Sequence, residues 1–137
     1  MQHIVLISCV SRKAPSRAKC RDLYLSDLFR KSLRYAHSLS PDKVFVLSAK
    51  YGLVGLEQEI DPYDETLNDM SIALVRVWAA GVRDQIAQVA DLANDRFTFL
   101  AGVRYRRLLT SFTPHYDVPM RGLSIGRQLQ FLKEHVS

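Results

Sequence analysis

The chain is poor in cysteine. Its 137 residues hold two, Cys9 and Cys20, which is too few for a disulfide scaffold, and their spacing matches no zinc pattern. Cys20 reads as a reduced thiol, on the surface or in the core. Histidine is sparse as well: His3, His37, His115 and His135 are scattered along the chain, which argues against a metal site or a histidine-based triad. There is no Walker-type phosphate loop and no dinucleotide fingerprint. Neither a metal nor another cofactor is therefore expected. No apolar run approaches the ~18 residues needed to cross a bilayer, so no membrane partner is expected. Residues 1–7 lack the basic start and cleavage site of a leader and read as a first strand, which makes the cytoplasm the expected location. Linkers, repeats and low-complexity segments are missing too, and residues 1–137 read as one domain of a size that buries a proper core.

What the chain does have is positive charge. Its formal net charge is +5 and its isoelectric point lies near 9.4. The excess is clustered. Arg12, Lys13, Arg17, Lys19 and Arg21 form one basic run, Arg104, Arg106 and Arg107 a second, and Arg121 and Arg127 flank a late turn. Guanidinium groups bond phosphate in a bidentate way, so arginine clusters in loops suit a nucleic acid or nucleotide partner.

The apolar pattern alternates between strand and helix. Ile4-Val5-Leu6-Ile7 is a continuous run that fits a strand buried on both faces. Residues 21–39 are helical, with Leu25, Leu28, Phe29, Ser32, Leu33 and Ala36 on one face. Ser26 is placed to cap that helix, so its start falls at Arg21 or as late as Ser26. Residues 43–47 form a second strand and residues 48–68 a loop. Asp69 or Ser71 caps a long helix running to about Ala93, whose inner face is Val75, Trp78, Ala79, Val82, Ile86 and Val89. Trp78 reads as a core anchor there, and Gly81 as a point of close packing on the sheet. Residues 97–101 are a third strand, residues 103–112 contain a short helix, and residues 116–119 are a weak fourth strand near an edge, because Pro119 has no amide to donate. A last helix spans residues 126–136, with Ser124 as its cap and Ile125, Leu129 and Leu132 facing inward. The order implies a three-layer α/β sandwich around a central four-stranded, mostly parallel sheet.

In a parallel sheet the carboxyl ends of the strands share one edge, where α/β folds keep their sites. Those ends are rich in small or reactive groups: Ser8, Cys9 and Lys13; Ser48, Lys50, Tyr51 and Gly52; Gly102, Arg104 and Tyr105; then Arg121 and the turn to Gly126. A lysine crowded by like charges, as Lys13 is by Arg12, Arg17 and Lys19, suits a nucleophile or Schiff-base former; it equally suits a grip on phosphate. Cys9 is a candidate thiolate or a small buried residue. Asp61, Asp64 and Glu65 lie within five residues; Asp61 and Asp64 are general acid or base candidates, or a solvated loop paired to the basic run. Tyr51 and Tyr63 are candidate stacking platforms, with packing on the sheet edge as the alternative. Gly126, after Gly122-Leu123-Ser124-Ile125, opens a helix whose first amides can hold an anion. Arg12, Arg17, Arg104 and Arg121 are the candidate phosphate contacts.

The strings Leu6-Ile7-Ser8-Cys9 with Lys13, Leu23-Tyr24-Leu25-Ser26, Leu47-Ser48-Ala49-Lys50-Tyr51-Gly52-Leu53 and Pro62-Tyr63-Asp64-Glu65-Thr66-Leu67 resemble an uncharacterised bacterial and phage family of small domains. More distantly, Cys9 and Lys13, with three residues between them, resemble the core motif of archaeosine synthase, in which a Pro-Cys pair is followed after three residues by Lys-Pro-Tyr, then Ser and His. There the lysine attacks a nitrile on a deazaguanine base in tRNA. Here Ser8 stands for that proline, Ala14-Pro15 for Pro-Tyr, and Ser16 for the serine. That core is similar in turn to the uracil-DNA-glycosylase fold, in which the loops after strands one and four flank an extruded base. The resemblance implies a uracil-DNA-glycosylase-like fold and an enzyme that processes a nucleobase, glycosylase-like or base-modifying.

In that expectation Lys13 is nucleophile or electrostatic catalyst and Asp61 or Asp64 the acid or base. Ser8, Cys9, Ser48, Lys50, Tyr51, Gly52, Tyr63, Thr66, Gly102 and Tyr105 surround the base. The alternatives are a non-catalytic DNA- or RNA-binding module and a nucleotide-metabolising enzyme.

Overall fold

In a computed structural model, residues 1–8 and 12–136 are described. Cys9 lies outside the described residues. Strand β1 (His3–Ser8) runs up the middle of the fold, and strands β2 (Ala18–Lys19) and β5 (Glu59–Ile60) form a small antiparallel pair of their own. Helices α1 (Cys20–Leu23) and α2 (Asp27–Ser38) lead to β3 (Lys43–Ser48) and β4 (Gly52–Gly55). After β5 come α3 (Ile72–Ala87), β6 (Arg96–Leu100), α4 (Val103–Arg106), β7 (Tyr116–Asp117) and α5 (Ile125–His135). The main sheet has the order β4-β3-β1-β6-β7. Strands β3, β1, β6 and β7 are parallel, and β4 is antiparallel to β3.

The continuous apolar run of β1 is explained by its two covered faces. Val5 and Ile7 pack with Phe29 and Ala36 of α2 and Leu132 of α5. Ile4 and Leu6 pack with Val75, Ala79, Val82 and Ile86 of α3. Helix layers on both faces of a mostly parallel sheet make three layers, in keeping with the expected class.

The four-strand sheet is corrected to five. Residues 52–55 were expected as loop; they fold back as β4 because the turn from Ser48 to Gly52 is a tight hairpin. Gly52 supplies φ +76° there, a conformation that costs glycine nothing, and the Ser48 hydroxyl accepts the amides of Lys50 and Tyr51 at 3.2 and 3.0 Å. Only Leu53 and Val54 are apolar in that strand, too few for an alternation to show.

Other boundaries shift for local reasons. The first expected helix is broken in two at Tyr24, which bridges to Lys13, and Ser26 caps the second piece through the Phe29 amide at 3.1 Å. Ser71 caps α3, which stops at Ala87, short of Val89. Gly81 does not admit close packing: it is exposed, and a Cβ built on it would meet nothing within 4 Å. Ile125 does not face inward; it is 66% exposed at the start of α5.

Trp78 is half-buried against the α3-side core, and its indole N–H donates to the Ser48 carbonyl at 2.8 Å. Among the described residues no helix is long and apolar enough to cross a membrane, and no group of metal-binding side chains is gathered.

Candidate functional site at the carboxyl edge of the sheet

The chain leaves β1 toward β3 on one side and leaves β6 toward β7 on the other. The gap between the carboxyl ends of β1 and β6 is therefore the point where the strand order reverses, the usual crevice for a ligand in an open α/β sheet. Ser8 and Gly102 close its floor, the Gly102 amide donating to the Ser8 hydroxyl at 3.0 Å.

Above that floor lies a cavity of about 870 Å³, within the range of small-molecule sites. Phe29 and Ser32 of α2 line one side, Tyr105 and Arg106 of α4 another, and the turn carrying Gly122 to Gln128 a third. Ser32 is only 3% exposed, a polar group set into an apolar wall. Among the described residues, the lining holds no Asp, Glu, His or Lys.

Arg106 is the charged group of that wall. It is half-buried, and one terminal nitrogen donates to the Ala101 carbonyl at 3.1 Å. Burial, and after it the charge of Arg121, hold its pKa below the usual arginine value; the Tyr116 phenol acts weakly the other way.

A second cluster sits beside β3. Tyr63 is buried, its hydroxyl 2.5 Å from that of Tyr24, and it also hydrogen-bonds the Ser48 side chain. Burial pushes its pKa up to about 12, against the opposing pull of the Ser48 and Tyr24 hydrogen bonds. The Lys13 ammonium lies 4.4 Å from the Tyr63 ring centre and 5.8 Å from that of Tyr24, close enough for cation–π attraction to both. Tyr51 packs edge-on to Tyr63 with ring centres 5.7 Å apart. Lys50 lies over the outer ring, 5.4 Å from the centre of Tyr51.

The segment between β5 and α3 ties the two clusters together. Tyr63 belongs to the tyrosine cluster, and four residues on, the Leu67 amide donates to the Tyr105 hydroxyl at 3.3 Å with Thr66 Oγ1 at 3.4 Å from the same atom. Tyr105 lines the cavity and meets Trp78 edge-on at 5.7 Å.

Of the residues singled out in the sequence, Ser8, Gly102 and Tyr105 come together at the cavity, and Lys13, Ser48, Lys50, Tyr51 and Tyr63 in the tyrosine cluster. Thr66 stands between them. Asp61 is exposed and paired to Arg17 at 3.3 Å, and Asp64 is exposed, outside both groups. Gly52 serves the hairpin. Arg12 is exposed, its carbonyl accepting the Leu25 amide. Arg104 turns away from the cavity to the carbonyls of Leu67 and Met70. Arg121 is exposed beside the cavity, and Gly126 follows the lining residue Ile125.

Sequence reasoning did not select Tyr24, Phe29, Ser32 or Arg106 as site residues. Ser32 carried a signal, a serine in an otherwise apolar helical stripe. Arg106 stood in a recognised basic run, but two residues along a helix is a rotation of about 200°, so Arg104 and Arg106 face opposite ways.

No curated protein and no solved structure matches the chain. A family model described as "Family of unknown function (DUF6884)" matches residues 4–134, nearly the whole chain, and the protein accordingly belongs to that family.

Proposed function

We propose that this protein binds and processes a nucleobase, carried on a nucleotide or a nucleic acid, in the cavity at the carboxyl edge of its sheet. The observation that carries the reading is the place and make-up of that cavity. It opens at the reversal of strand order, is walled by Phe29, Phe99 and Tyr105, and has Arg106 in its lining with Arg121 nearby. Aromatic walls suit a flat heterocycle, and guanidinium groups suit the phosphate attached to it.

The chemistry is N-glycosidic or base-modifying, of the kind implied by the likeness to archaeosine synthase and uracil-DNA glycosylase. In this reading the reactive group is Lys13, held on the tyrosine pair, and the 61–67 segment links it to the cavity. Tyr51 and Tyr63 position Lys13, and Asp61 or Asp64 is the acid or base, acting from the exposed 61–64 segment.

A second reading is favoured by one feature: among the described residues, no acid, histidine or lysine lines the cavity itself. That composition fits a binding module better than general acid–base catalysis.

The test is to incubate the protein and its Lys13→Ala variant with nucleotides and with DNA and RNA oligonucleotides, and to follow base release or mass change. The enzyme reading expects product from the parent protein and a rate loss of about a hundredfold or more in the variant. Product at the parent rate from the variant removes Lys13 from the nucleophile role. Binding with no altered substrate in any arm leaves the binding module.

A further inference from the structure

We infer that Arg106 and Arg121 form an anion subsite at the rim of the cavity, which takes a phosphate group of the ligand and so selects phosphorylated ligands over bare bases and nucleosides. The inference rests on the cavity being the ligand site, and goes beyond it in naming the residues and the group they recognise.

Charge balance singles out these two residues. Of the ion pairs among the described residues, Arg17–Asp61, Lys19–Glu57, Arg21–Glu57 and Arg83–Asp84, none includes Arg106 or Arg121. Arg106 lines the cavity, and Arg121 stands exposed at its edge between the lining residues Met120 and Gly122, near enough for its charge to bear on Arg106. A half-buried guanidinium beside a like charge is an arrangement that a fold keeps at a cost, since both desolvation and repulsion oppose it. Among the described residues, the Arg106 guanidinium makes one hydrogen bond, to the Ala101 carbonyl, and no ion pair. An anion between the two would satisfy both, with the rest of the Arg106 fork presenting N–H donors to it.

The contrast with Arg104 supports the assignment. Its guanidinium is spent on the Leu67 and Met70 carbonyls, where it fastens the segment before α3. Two arginines of one short helix thus have separable duties, one structural and one toward the cavity. The first basic run is also engaged within the fold, through Arg17, Lys19 and Arg21.

The phosphate could come from a free nucleotide or from a nucleic-acid backbone; both offer the same anionic oxygens, and the experiment separates them. Binding is measured by titration calorimetry for a set of bases, nucleosides, nucleoside monophosphates, inorganic pyrophosphate and short oligonucleotides, with the parent protein, Arg106→Gln, Arg106→Lys and Arg121→Gln. Far-ultraviolet circular dichroism and thermal melting check that each variant is folded. The expected result is a monophosphate or oligonucleotide binding roughly tenfold to a hundredfold tighter than the matching nucleoside. Arg106→Gln abolishes that margin, Arg121→Gln narrows it, and Arg106→Lys keeps part of it.

A free-nucleotide source gives its tightest binding with monophosphates and a shallow salt dependence; a polymer source gives it with oligonucleotides and a steep one. Nucleoside and monophosphate binding equally overturns the subsite while leaving the base pocket standing. Pyrophosphate binding that is lost in Arg106→Gln, with no nucleoside or nucleotide bound, supports the subsite and removes the nucleobase reading. No binding by any of these ligands overturns both.

Discussion

At the scale of single residues, the site depends on groups whose character is changed by burial. Tyr63 is the clearest. Burial of its ring and hydroxyl raises its pKa to about 12, against the opposing pull of the hydrogen bonds to Ser48 and Tyr24. The unfolded chain would deprotonate near the ordinary tyrosine value of about 10. The folded state therefore holds the proton more tightly. The associated stability is fully present below about pH 10 and is lost as pH rises toward 12, a change of about 2–3 kcal/mol. Tyr63→Phe should lower stability at neutral pH by about 1–2 kcal/mol, because it strands buried hydroxyls. It should also flatten the pH dependence between 10 and 12. Urea midpoints for both proteins across that range check both effects; parallel curves would contradict burial as the cause of the raised pKa.

At the scale of elements, two glycines separate local need from local tolerance. Gly52 has φ +76°, and a Cβ there would stand 2.3 Å from Gln85 Oε1. That oxygen accepts the Leu53 amide at 2.9 Å, and the Gln85 amide nitrogen donates to the Tyr51 carbonyl. Gly52→Ala should cost about 2 kcal/mol or more, from backbone strain and the displaced glutamine. Gly81 is exposed in the middle of α3 with open space around it, so Gly81→Ala should stabilise by about 0.5–1 kcal/mol. Thermal melts of the two variants should move in opposite directions.

The same elements show what the sequence could and could not reveal. β1 was legible because Ile4 to Ile7 are apolar on both faces, and α2 and α5 because Ser26 and Ser124 stand one residue before them. β4 was hidden, since its strand character comes from pairing with β3 and the bend at Gly52, neither of which is a periodic signal. Ile125 was misplaced because the helical pattern gives spacing without the absolute rotation of the helix on the sheet. Ser8, Gly102 and Tyr105 could be grouped by topology alone. The separation of Lys13 and Tyr63 from the cavity could not, since it depends on the path of the 61–67 segment.

At the scale of the whole molecule, order of strands and distribution of charge point to one place. The reversal between β1 and β6 opens the crevice, the helices α2, α4 and α5 wall it, and Arg106 and Arg121 make its rim positive. The remaining basic groups near β2 are paired with Asp61 and Glu57 on exposed surface. Such pairs contribute little to stability, so their loss should leave the fold intact. Arg17→Ala should change the melting temperature by no more than about 2 °C. A larger fall in thermal melts would mean that the β2–β5 pair braces the sheet edge.

The central claim is that the cavity is where a nucleobase-bearing ligand binds. Amide chemical-shift mapping during a titration with nucleoside monophosphates tests it directly. The account predicts shifts concentrated at Ser8, Gly102, Tyr105, Arg106 and Gly122, with little change at the exposed residues of α3. Shifts confined to Arg17, Lys19 and Arg21, or none at saturating nucleotide, would contradict it.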